Sequence, residues 1–379
     1  MKAENIIMTS IKTIGLFLIL ISLFSSCKPT KQIVVEQRTE EIIPKPRGMQ
    51  KDKLYSTVKT YFATDRKAIA SSELSDKIQF SGEKGSVQYG TCDVSIPASH
   101  VRGNIERPSI WKLELTEDPN KHVVVLKAKT ELKKNYFNEL KSDNSKKAFI
   151  FVHGYFVSFE EAAQRTAQMA YDLNFPGLPI FYSWPSQGTK VGYWKDSETV
   201  EACIANIQNF VKDVIETLPN HDIYLVGHSM GTRAMSKAVI QLLEKHPEYE
   251  KQLKAIILSA PDIDAEVFKN EIAPKLAEQS DNVTLYASSD DHALELSAKI
   301  NGVRRAGEIT EEILLLDGIE VIDASNADTG FSGHSYFGDS KMVIRDIGMI
   351  IYNGLKASAR NTLTSERSGQ KTYWKLGGQ

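Results

Sequence analysis

The chain predicts an α/β fold, in which a mainly parallel sheet flanked by helices follows a smaller β-rich N-terminal module. Three observations carry this. From residue 147 onward, short apolar runs alternate with amphipathic stretches, as strands joined by helices do. Those runs are continuously apolar, which fits strands covered on both faces of a parallel sheet. Between 54 and 144 the grammar is different: β-rich runs such as "TVKTYFATD", "GSVQYGTCDVSI" and "KHVVVLKAKT" are separated by loops of Gly, Pro, Asn and Ser.

The first element is a targeting segment. "IGLFLILISLF" (14–24) is apolar throughout, follows Lys2 and Lys12, and precedes Ser25-Ser26-Cys27. It is short for a membrane span and has the length of a signal-peptide core. Small residues before a cysteine resemble the bacterial lipoprotein cleavage box, although Phe24 stands where leucine is commoner. The resemblance implies a signal peptide over 1–26, acylation of Cys27, and a membrane-anchored protein of the bacterial cell envelope. An ordinary signal peptide with a chance cysteine is the alternative. Residues 27–53, polar with Pro29, Pro44 and Pro46, read as a linker. The β-rich module spans 54–146, the α/β domain 147–358, and 359–379 reads as a polar C-terminal tail.

Within the α/β domain the predicted strands are 148–152, 179–183, 223–226, 255–259, 283–287 and 320–323. Helices are predicted over 159–173 and 199–218. Cys203 shares a helical period with Val200, Ile204, Ile207 and Val211, so it reads as a small core residue.

"DIYLVGHSMGTRAMSKAVIQ" carries the chemistry. An apolar run, 223–226, leads through Gly227-His228-Ser229-Met230-Gly231 into a helix marked by Ala234, Met235, Ala238, Val239, Leu242 and Leu243. A strand that turns sharply into a helix forces its corner residue into strained backbone angles, and the flanking glycines remove Cβ atoms that would collide. Ser229 at that corner reads as a nucleophile. It needs a base, and in folds of this kind the order is Ser, acid, His, each on a loop after a later strand. His334, in "TGFSGHSYFGD", is the one histidine of the eight that follows the last predicted strand. His292 is its rival. Asp291, in "SSDDHAL", is the favoured acid, and Asp262, in "SAPDID", is the alternative, with a helix N-cap as its bland reading. Two backbone N–H groups should hold the oxyanion: that of Met230 after the nucleophile, and that of Tyr155 in "FVHGYF".

The remaining features bound the partners. A net charge of −2 argues against bulk attraction to nucleic acid. No zinc-ligand spacing and no phosphate-binding glycine loop is evident, and the chemistry requires neither metal nor organic cofactor. Tyr155, Phe156, Phe159, Trp184, Phe331, Tyr336 and Phe337 are candidates to line an apolar acyl pocket or to pack in the core. The expected partner is therefore a small-molecule or lipid-like acyl substrate.

"FIFVHGYFVSFEEAAQRTAQMAYDLNFPGLPIFYSWPSQG", "LVGHSMGTRAM", "SAPDIDAEVF", "SSDDHALELS" and "GHSYF" together resemble a bacterial α/β-hydrolase family, long catalogued as a domain of unknown function and regarded as esterase- or lipase-like. "FATDR", "YGTCDVSIP" and "ERPS" resemble its N-terminal part, so the likeness runs from about 61 to 352. It implies an α/β-hydrolase fold and a serine hydrolase, with Ser229, Asp291 and His334 as the triad positions. Phe156 departs from the family, which more often has asparagine there. An acyltransferase of the same fold and a non-catalytic envelope binding protein are the alternative functions.

Overall fold

The computed structural model describes residues 54–69, 77–109, 114–189, 192–325, 327 and 334–377. The expected signal peptide, the linker with Cys27, and Phe331 lie outside these residues. The strands are β1 (Tyr55–Ile69), β2 (Gln79–Pro97), β3 (Val124–Glu131), β4 (Lys147–Val152), β5 (Leu178–Ser183), β6 (Asp222–His228), β7 (Leu253–Ser259), β8 (Val283–Ala287), β9 (Glu320–Asp323), β10 (Leu363–Ser368) and β11 (Lys371–Leu376). The helices are α1 (Lys133–Ser142), α2 (Phe159–Asp172), α3 (Tyr193–Ala202), α4 (Ile204–Thr217), α5 (Met230–Lys245), α6 (Ala265–Val267), α7 (Ala273–Gln279), α8 (His292–Asn301), α9 (Tyr336–Asp339) and α10 (Lys341–Asn353).

All strands join one sheet, ordered β10-β11-β9-β8-β7-β6-β4-β5-β1-β2-β3. From β5 to β9 neighbours run parallel, as the continuous apolar runs predicted. Side chains alternate between two cores. Ala148, Ile150 and Val152 of β4 face Val211, Val214, Ala234 and Met235, whereas Phe149 and Phe151 face Ala163, Ala167, Ile344 and Ile347. Each buried large side chain contributes about 1.5–3 kcal/mol, and a one-residue slip would exchange the two sets. That fixes the register.

Three expectations change. The β-rich module is not set apart, because β1 runs parallel to β5, with Tyr61 opposite Ile180, and carries β2 and β3 antiparallel beyond it. Of the stretch read as a C-terminal tail, the described residues 359–377 are not a tail. β10 and β11 form an antiparallel hairpin, and β11 pairs with β9 at Trp374 and Ile322. The helix expected over 199–218 is broken at Cys203, which ends α3 and begins α4. The Cys203 side chain is buried in the core.

Helix α2 begins with a capping box: Ser158 Oγ accepts from Glu161 N at 3.1 Å, and the Glu161 carboxylate accepts from Ser158 N at 2.9 Å. This cap fixes the exit of the loop that leaves β4. The carboxyl ends of β4, β6, β7 and β8 lie side by side, and a candidate residue follows each. Among the described residues no helix is long and apolar enough to cross a membrane.

Candidate active site

Ser229 sits at the corner between β6 and α5 with φ 51° and ψ −125°. A non-glycine residue there costs roughly 1–3 kcal/mol and persists only when its surroundings over-determine it. They do: Ser229 N donates to Ser259 O at 3.0 Å, and Thr232 Oγ1 donates to Ser229 O at 2.6 Å. Gly231 is obligatory, since a Cβ would collide with the carbonyl oxygens of Val152 and His153. Gly154 brings the loop after β4 against the serine; a Cβ there would stand 2.7 Å from Ser229 Cβ.

Asp291 and His334 meet across two loops. His334 Nδ1 lies 2.8 Å from each Asp291 carboxylate oxygen. Asp291 is also the N-cap of α8, its Oδ1 accepting from Ala293 N at 3.1 Å and Leu294 N at 3.0 Å, so the carboxylate cannot swing away. Carboxylate oxygens only accept, so Nδ1 carries the proton and Nε2 keeps the basic lone pair. Burial opposes charge on this imidazole, but the Asp291 charge and hydrogen bond outweigh it, and the His334 pKa is raised above 6.5. The chain beyond His334 is anchored by Arg165 to Asp339 (2.6 Å) and by Gln168 Nε2 to Gly338 O (3.0 Å).

His228, inside the elbow, supports the His334 loop. Its Nε2 donates to His334 O at 2.9 Å, and its ring stacks on Phe337 at 4.4 Å. Burial, then the neighbouring His334 charge, pushes its pKa well below 6.5, so it serves as a neutral donor. Its position inside the elbow was the available signal.

The other candidates are separated. Asp262 is buried in a different network, accepting from Arg305 Nε at 2.7 Å, Ser297 Oγ at 2.6 Å and Tyr193 OH at 3.0 Å. His292 is exposed beside Glu295 at 3.5 Å. Met230 is the first residue of α5, where helix geometry leaves amide hydrogens without intrahelical acceptors. Tyr155 follows Gly154 in the loop after β4, which is tied down by Trp184 Nε1 to His153 O (2.7 Å) and Val157 N to Ser186 Oγ (3.3 Å). Among the described residues no cluster of His, Cys, Asp and Glu is arranged to hold a metal ion.

Of the aromatic candidates, Phe159, Trp184, Tyr336 and Phe337 are buried packing residues. Tyr155 is half-buried and Phe156 is 42 % exposed, with Trp194, missed in the sequence, at 63 %. Rings link them: Tyr155 lies 5.4 Å from Tyr193, which lies 6.2 Å from Trp194. A groove of about 430 Å³ beside Lys59, Asp143 and Leu178 is at the opposite end of the strands and holds none of the candidate site residues.

A mostly parallel sheet flanked by helices, extended by antiparallel N-terminal strands and carrying a strand–serine–helix corner, defines an α/β-hydrolase fold. The chain belongs to the family described as "Alpha/beta hydrolase of unknown function (DUF900)", which matches residues 128–351. No curated protein sequence matches it. Similar solved structures include a cold-adapted esterase from an Arctic intertidal metagenomic library (14 % identity, 78 % of this chain and 98 % of that one, TM-score 0.33). Others are a predicted CIB-like hydrolase from Thermoplasma acidophilum (14 %, 56 % and 89 %, TM-score 0.33) and naproxen esterase from Bacillus subtilis (12 %, 56 % and 85 %, TM-score 0.31).

Proposed function

We propose that this chain is a serine hydrolase that cleaves a carboxylic ester or thioester through an acyl-enzyme. The observation that carries the reading is the 2.8 Å approach of His334 Nδ1 to both Asp291 oxygens, beside an elbow that strains Ser229. Ser229 Oγ attacks the acyl carbon while His334 Nε2 takes its proton. The carbonyl oxygen becomes an oxyanion facing the Met230 and Tyr155 amides. Collapse expels the alcohol or thiol, which leaves with the proton from His334. Water, deprotonated by His334, then attacks the acyl-enzyme; collapse releases the acid and returns the proton to Ser229. Asp291 keeps the imidazole in its Nδ1–H tautomer and stabilises its charged form.

Exposed Phe156 and Trp194, linked through Tyr155 and Tyr193, favour an apolar, lipid-like acyl group. Acylation of Cys27 would hold the enzyme on a membrane of the cell envelope. Cys27→Ser would then leave unprocessed precursor, and unchanged acyl-labelling of the mutant would count against the anchor.

The test of the reaction is hydrolysis of esters and thioesters of graded acyl length by the purified protein. A pre-steady-state burst of alcohol, abolished in Ser229→Ala, is expected. Turnover without a burst at any substrate, undiminished in Ser229→Ala, would contradict the reading.

A further inference from the structure

Arg66, near the end of β1, is 1 % exposed, and among the described residues it forms no ion pair with a carboxylate. Its guanidinium donates to neutral acceptors instead. Nε reaches Ser183 Oγ at 2.8 Å, and Nη1 reaches Ser186 O at 2.9 Å and Ser81 O at 3.4 Å. Nη2 reaches Val157 O at 2.7 Å and His153 Nε2 at 3.4 Å. Burial lowers its pKa to about 10, which leaves it charged at neutral pH. A buried cation without a paired anion is costly, and such a cost persists where the group performs a task.

The acceptors identify the task. Val157 O and His153 belong to the loop after β4, and Ser183 and Ser186 to the end of β5 and the turn beyond it. His153 Nδ1 lies 2.8 Å from Gly154 O, an acceptor only, so Nδ1 carries the ring proton and Nε2 offers a lone pair. Arg66 Nη2–H and the Ser183 hydroxyl (3.2 Å) both face that lone pair. Burial and then the Arg66 charge push the His153 pKa down to about 3, so the ring stays neutral. The Gly154 carbonyl pinned by this ring shares a planar trans peptide with the Tyr155 N–H, and the two point in opposite directions. Holding the carbonyl back therefore aims the Tyr155 amide forward, beside the Ser229 corner against which Gly154 packs. On the far side, Asp196 accepts from Ser186 Oγ at 2.6 Å, Gln187 N at 2.8 Å and the Phe156 amide.

We infer that Arg66 is a positioning residue for the oxyanion hole: through His153 and Gly154 it orients the Tyr155 N–H, so that β1 completes a catalytic apparatus centred on the later strands. The inference rests on Ser229 acting as the nucleophile. It also gives β1, which precedes the residues 128–351 matched by the family, a role beyond packing.

The test uses the full chain with Arg66→Met, Arg66→Lys and His153→Phe, each checked for folding by circular dichroism. Three quantities are measured: kcat, KM for one ester, and affinity for a trifluoromethyl ketone, which binds as a tetrahedral oxyanion. Loss of an aligned oxyanion donor is expected to lower kcat about 10²–10³-fold with KM little changed. Ketone affinity should fall in parallel, and the pH limb set by His334 should stay in place. Arg66→Lys should recover part of kcat, since the charge returns without the fork. His153→Phe keeps the ring that stacks on Trp184 and leaves Arg66 intact, yet should lose kcat like Arg66→Met, and it decides the matter if Arg66→Met does not fold. A folded Arg66→Met or His153→Phe enzyme with kcat within threefold of wild type, or with undiminished ketone affinity, would overturn the inference alone. A wild type inert toward esters and the ketone would overturn it together with the hydrolase reading.

Discussion

Asp291→Asn separates two duties of the proposed acid. In the native protein Oδ1 accepts from the Ala293 and Leu294 amides while both oxygens face His334 Nδ1. Asparagine is as good an N-cap as aspartate, so its carbonyl should stay on the two helix amides and stability should change by less than about 1 kcal/mol. Its NH₂ then occupies the place of Oδ2 and donates to Nδ1. The ring proton moves to Nε2, and the lone pair that Ser229 needs is gone. A wrongly held imidazole of this kind costs roughly 10⁴ in kcat, about 5.4 kcal/mol of barrier. The pH profile supplies a second readout. Asp291 raises the His334 pKa above 6.5 by charge and hydrogen bond, so wild-type kcat/KM should fall as pH drops through a value above 6.5. In the residual activity of Asp291→Asn that limb should move to lower pH. The assay is kcat/KM against pH on a non-ionising ester, with thermal melting as the folding control. A folded mutant within tenfold of wild type, with the limb unmoved, would refute the reasoning.

Other variants probe the surroundings. Asp262→Asn withdraws the charge paired with Arg305, both groups being buried, and should cost roughly 3 kcal/mol of stability while kcat of the folded enzyme stays within a few fold; a stable mutant with little activity would return the acid's role to Asp262. Phe156 holds φ 60° at an exposed position, a conformation asparagine adopts readily, so Phe156→Asn should stabilise by up to about 1 kcal/mol and raise KM for long acyl chains. A lower melting temperature would show that packing of the Phe156 ring outweighs its backbone strain. His100 is buried between Glu106 and Asp172 at 2.9 Å from each; burial opposes its charge, but the two carboxylates raise its pKa to about 9. That stabilisation, on the order of 3 kcal/mol, is complete below pH 6.5 and lost as pH rises through about 9. His100→Gln should flatten the melting temperature across that window, and an unchanged slope would count against it.

Much of this architecture was legible because sterics and burial dictate residue type directly. The parallel strands sit between two cores, so both faces must be apolar, and the elbow admits only small residues at Gly231. What was not legible lacks that imprint. The hairpin of β10 and β11 is mostly exposed on both faces, so "LTSERSGQKTYWKL" shows no apolar alternation. Its clue was the Ser368-Gly369 turn, where Gly369 adopts φ 60°. The pairing of β1 with β5 is made by backbone groups and leaves no periodic trace in either strand. The candidate triad residues could be ranked by chain order, but Asp262 and Asp291 both follow parallel strands and both carry N-cap chemistry nearby. Only their partners separate them: Arg305 for one, His334 for the other. Arg66 is a single cation in "FATDR", and nothing local marks it as buried.

Mapping where a fluorophosphonate attaches tests the nucleophile most directly. One adduct per chain is expected on the peptide containing Ser229, absent from Ser229→Ala and formed orders of magnitude more slowly in His334→Ala. An unlabelled wild type, or equal labelling of Ser229→Ala at another residue, would contradict a serine hydrolase built on this elbow.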